Sequence, residues 1–90
     1  MPSYLVETFL TRGQAGERAA LEGRARSAAE DLTQEGTPVR LERSIYVPED
    51  EICFFVFDAP MAREAALAAR RAGLDPFRVV EAVSSDKEEK

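Results

Sequence analysis

Six consecutive apolar residues, Ile52-Cys53-Phe54-Phe55-Val56-Phe57, form the most distinctive stretch of the chain. Successive side chains of a strand point to opposite faces, so this segment offers apolar groups to both sides of its sheet. The chain's own helices can cover one side. The other needs a second cover.

The surrounding pattern predicts the remaining elements. Residues 4–10 are β-friendly on both parities and predict a first strand. Gly13 and Gly16 break periodicity and mark a loop over 11–16. From Glu17 onward, Ala20, Leu21, Arg24, Ala25, Ala28, Ala29 and Leu32 recur at helical spacing, giving an amphipathic helix whose apolar face is mostly alanine. Gly36 and Pro38 end it. Val39, Leu41, Ile45 and Val47 then alternate with Arg40, Glu42, Ser44 and Tyr46, as in a half-buried strand. Pro48-Glu49-Asp50-Glu51 makes a tight polar turn into the Phe-rich strand. Asp58 is the expected N-cap of a second helix over 61–72, with Pro60 near its first turn. Gly73 and Pro76 stop that helix. Residues 77–83 predict a last strand, and residues 84–90 an acidic disordered tail.

The order strand, helix, strand, strand, helix, strand admits few right-handed solutions. The commonest is a ferredoxin-like α+β sandwich, a four-stranded antiparallel sheet with two helices on one face. Residues 1–83 form the expected single domain. With the 48–51 turn, Val47 faces Ile52, Tyr46 faces Cys53, Ile45 faces Phe54 and Ser44 faces Phe55, and opposed residues share a face. The expected helix-side floor is Val6, Leu10, Val39, Leu41, Ile45, Val47, Ile52, Phe54 and Val56. The expected open face holds Leu5, Glu7, Phe9, Glu42, Ser44, Tyr46, Cys53, Phe55 and Phe57.

Ninety residues with 44% apolar and 32% charged content fit one small globular domain. A net charge of −5 argues against nucleic acid and anionic membrane as partners. Arg12, Arg18, Arg24 and Arg26 interleave with Glu17, Glu22 and Glu30 and read as a solvated helix face. One cysteine allows no internal disulfide and favours a cytoplasmic home. No signal-peptide pattern opens the chain, and no apolar run is long enough for a membrane helix.

Candidate chemistry concentrates on the expected open face. Glu7, Phe9, Glu42, Ser44, Tyr46, Cys53 and Phe55 mix aromatic and polar groups. They read first as the core and rim of a homodimer interface, then as a pocket between facing sheets that orients a small ligand. A metal set of Glu7, Glu42 and Cys53 lacks any characteristic spacing, and histidine, the commonest metal ligand, is absent. No metal ligands are assigned and the cofactor is left unknown. Cys53 has no imidazole to activate it and reads as buried filler. Glu49, Asp50 and Glu51 read as solvated turn residues. No catalytic residues are assigned.

Tyr4-Leu5-Val6-Glu7, the hairpin Arg43-Ser44-Ile45-Tyr46-Val47-Pro48-Glu49-Asp50-Glu51-Ile52-Cys53 and the segment Ala69-Arg70-Arg71-Ala72-Gly73-Leu74 resemble a family of small bacterial proteins of unassigned function, which includes a nickel-binding protein. The likeness spans about residues 3–83, and its most specific piece is the hairpin. The resemblance implies a ferredoxin-like domain paired face to face through its sheets, as a dimeric α+β barrel. After Leu74 the order Asp75-Pro76-Phe77 departs from the family's Pro-x-Asp. The expected function is a homodimeric binding module enclosing a small ligand or metal ion. The alternative, by analogy of fold, is a cofactor-free barrel enzyme, a monooxygenase or isomerase for a hydrophobic substrate.

Overall fold

The Phe-rich strand lies inside the sheet, with both of its edges paired and one of its faces under the helices. The computed structural model describes residues 1–85; from residue 86 the expected tail lies outside the described residues. Along the chain run β1 (Ser3–Phe9), a 3-10 turn (Arg12–Glu17), α1 (Arg18–Gln34), β2 (Arg40–Val47), β3 (Ile52–Asp58), α2 (Ala62–Arg71) and β4 (Arg78–Ala82). The four strands pair antiparallel in the order β2-β3-β1-β4, and both helices pack on one face. This is the ferredoxin-like α+β arrangement that the element order predicts. The expected loop at 11–16 is instead a short 3-10 turn, in which the Gln14 amide donates to the Thr11 carbonyl at 2.9 Å.

Both helices end alike. Gly36 and Gly73 adopt φ of 104° and 79°, a left-handed conformation that costs glycine little. Past each glycine, the next amide reaches back to the helix: Thr37 to the Leu32 carbonyl and Leu74 to that of Ala69, both at 2.9 Å. The start of α2 differs from expectation. Asp58 belongs to β3, and Met61 holds the cap position of α2 without a side-chain bond. The Asp58 carboxylate is drawn away by two stronger partners. Ser3 Oγ donates to Oδ1 at 2.7 Å, and Arg40 Nη2 donates to Oδ2 at 2.7 Å.

The core forms where the alanine faces of both helices meet the sheet. Ala25, Ala28, Ala29 and Leu32 of α1 and Ala65, Ala68 and Ala69 of α2 are buried, together with Tyr4, Val6 and Leu41 from the strands. The large side chains between these layers are Phe55 and Phe57, both at 0% exposure. Small residues on the helices leave the volume that the rings fill, and close packing is what makes such a core stable. Two arginines tie the helices together: Arg24 Nε donates to the Ala72 carbonyl at 2.9 Å, and Arg71 forms a paired bridge to Glu35 at 2.8 and 2.9 Å.

The hairpin register is as predicted, with Val47 opposite Ile52, Tyr46 opposite Cys53, Ile45 opposite Phe54 and Ser44 opposite Phe55. The side of the sheet is the reverse. Cys53, Phe55 and Phe57 point to the helices, whereas Ile52, Phe54, Val56, Ile45 and Val47 lie on the open face. A β-bulge between Leu41 and Arg43 explains why β2 misleads. One extra residue switches parity, so Val39 and Leu41 are buried under α1 while Ile45 is exposed. The first strand follows expectation: Val6 and Leu10 are buried, while Leu5, Glu7 and Phe9 share the open face with Val56, Phe54 and Ile52 opposite them.

Truncating the buried ring tests this orientation. Phe55→Ala should lower the unfolding free energy by about 3–5 kcal/mol. Urea unfolding at matched protein concentration measures it, and a loss below about 1 kcal/mol would place Phe55 on the exposed side.

Candidate functional site

Of the seven residues expected to line one patch, the structure leaves three on the open face, spread along it, and turns four to the other side. Glu7, Phe9 and Glu42 are on the open face. Ser44, Tyr46, Cys53 and Phe55 are beneath the helices, each engaged there. The Tyr46 hydroxyl donates to the Leu10 carbonyl at 2.8 Å. Ser44 Oγ donates to Glu22 Oε1 and accepts from Arg18 Nε at 3.1 Å, and Arg18 Nη2 donates to the Ser44 carbonyl at 3.1 Å. Arg18 and Glu22 are therefore not merely solvated. They reach from the first turns of α1 across β2 and satisfy the Ser44 hydroxyl that the hairpin sends inward.

Cys53 is fully buried. Burial pushes its thiol up, Arg18 pulls it down, and Glu22 adds to the rise. A protonated, inaccessible thiol is a poor nucleophile and a poor metal ligand. The set Glu7, Glu42 and Cys53 is also split between opposite faces of the sheet. Among the described residues, no group of three or more His, Cys, Asp or Glu gathers as metal ligands. Glu51 differs from its expected role as well: at φ 54° it closes the turn, and its carboxylate accepts the Arg12 amide at 2.9 Å. This links the β2–β3 turn to the chain after β1.

The open face is more apolar than its expected counterpart. Leu5, Phe9, Ile45, Val47, Ile52, Phe54, Val56 and Val80 cross all four strands, and among the described residues no helix or strand covers them. Phe9 is 68% exposed and stacks on Phe77 with ring centroids 4.3 Å apart. Within this apolar field lies one ion pair. Glu7, with only 11% of its side chain exposed, meets Arg78 Nε at 3.6 Å.

One end of the face is built differently. Where β1 begins and β3 ends, Leu5, Ile45, Val56, Ala82 and Val83 floor a depression of about 320 Å³, and Ser3, Glu42, Arg43 and Ser84 surround it. Arg40, Glu42, Arg43 and Asp58 form a charged cluster there, with Glu42 at 3.8 Å from both arginines. The sequence held signals for part of this. Alanine-faced helices call for bulky partners, which favours the Cys53, Phe55, Phe57 parity as the inner one. Glu42 and Arg43, by contrast, depend on a bulge that no spacing announces.

No family model matches the chain, and no curated protein does. Among solved structures, the crystal structure of SCO4226 from Streptomyces coelicolor A3(2) superposes with a TM-score of 0.76, covering 92% of this chain and 98% of that one at 13% sequence identity. The likeness supports the fold. No helix among the described residues is long and apolar enough to cross a membrane.

The half-buried link between α1 and β2 is open to titration. The Ser44 hydroxyl bond holds the Glu22 carboxyl below its ordinary value; burial opposes it, and Arg26 and Arg18 add lesser pulls downward. A depressed folded-state pKa contributes stability above the unfolded pKa and loses it as pH falls through the folded value. Glu22→Gln should therefore lose less Tm than the natural protein between about pH 6 and pH 3. Equal losses would show that the Glu22 bond adds no stability.

Proposed function

We propose that the protein is a homodimeric binding module whose two open sheet faces pack together and enclose a small ligand. The single observation that carries this reading is the apolar field across four strands, which no helix or strand among the described residues covers, with Phe54 at its centre between Glu7 and Ile45. Burying such a surface is favourable by about 25 cal/mol per Å² of apolar area, so its exposure is a cost that a second copy removes. Self-association through equivalent surfaces is also the commonest way to build an oligomer.

The edges favour face over edge as the route. Arg18 occupies the Ser44 carbonyl of edge strand β2, and β4, the other edge, has only five residues. Short and side-chain-blocked edges are poor templates for further strand pairing. A face-to-face pair would also leave room for a guest. Flat packing meets its obstacle at the charged end, where Arg40 and Arg43 stand beside the apolar depression. Function then resides in the space between two copies, with the apolar floor giving affinity and the charged rim orientation.

Sedimentation equilibrium at micromolar concentration should give a dimer. Phe54→Glu should weaken association by at least about tenfold, or 1.4 kcal/mol, while the circular dichroism of the fold persists. A monomeric natural protein, or a variant that pairs as before, would contradict the proposal.

A further inference from the structure

The depression at the charged end of the open face has features that a plain interface does not require. Its floor is apolar, from Leu5, Ile45, Val56 and Ala82, and its volume of about 320 Å³ lies near the lower bound of small-molecule pockets. The β-bulge in β2 allows two consecutive charged residues, Glu42 and Arg43, to line the same depression, which regular alternation forbids.

The charges there are not equivalent. Arg40 is committed to Asp58, at 2.7 Å, and stands 3.8 Å from Glu42. Glu42 thus lies between two guanidinium groups. Arg43 meets Glu42 only at 3.8 Å, beyond hydrogen-bond reach, and keeps 65% of its side chain exposed. A guanidinium with unused donors at the lip of an apolar hollow suits a carboxylate, which it binds through paired charge-assisted bonds. An ammonium ligand would meet that same charge as repulsion.

We propose that this depression binds a small carboxylic acid with a short apolar body, the carboxylate on Arg43 and the hydrocarbon over Val56 and Ala82. The proposal deepens the binding-module reading, which supplies a roof from the second copy, although the floor and the arginine belong to one chain.

Titration calorimetry of the full chain with octanoate, 1-octanol and octylamine tests it, with the oligomeric state of the same samples followed by sedimentation. Octanoate should bind at least tenfold more tightly than either other probe. Arg43→Gln should abolish that preference, and Ala82→Leu, which fills the hollow from an edge strand, should weaken octanoate at least tenfold. Equal or tighter binding of octylamine, insensitivity to both substitutions, or no binding of any probe at millimolar concentration would overturn the proposal. A dimer that binds no probe refutes the pocket and leaves pairing intact. A monomer that binds octanoate through Arg43 upholds the pocket and refutes pairing.

Discussion

The packing of one row of side chains, Cys53, Phe55 and Phe57, against the alanine faces of two helices is the constraint on which the rest of the molecule depends. Alanine gives these helices little apolar bulk of their own. The sheet must therefore supply the volume, and it does so with the two largest fully buried rings of the chain. Once that row is committed inward, strand alternation forces Ile52, Phe54 and Val56 outward. The exposed apolar face is a geometric consequence of how the core is filled.

The polar residues follow the same logic. Turning Cys53 and Phe55 inward carries Tyr46 and Ser44 with them, since these are their cross-strand partners. Each polar group then needs a partner under the helices, and the chain provides one: the Leu10 carbonyl for Tyr46, and the Arg18–Glu22 pair for Ser44. Buried polar groups satisfied in this way fix a unique arrangement more than they add net stability. They also consume groups that looked available for ligand chemistry.

Much of the architecture was legible in the residues. Element order, both glycine stops, the hairpin register and the parity of the first strand could be read from periodicity and turn chemistry, and the central positions of β1 and β3 from the topology they imply. The side of the sheet could not be read in the same way. Residues 52–57 are apolar on both parities, so alternation carries no information there. In β2 the alternation points the wrong way, because Ile45 and Val47 are more apolar than Ser44 and Tyr46 yet face outward. The bulge at Glu42 hides the discrepancy by restoring Val39 and Leu41 to the core. Four of the seven expected site residues followed that inversion. Glu7, Phe9 and Glu42 escaped it because their placement came from β1, or from the bulge itself.

Thiol labelling at position 54, followed as a function of protein concentration, bears most directly on the central claim. Cys53 is buried and provides the blank, so in Phe54→Cys only the outward position should react. Its labelling rate should fall as concentration rises and a second copy covers the face. A rate independent of concentration would contradict the pairing of the open faces, and rapid labelling of Cys53 in the natural protein would contradict the orientation of the strand.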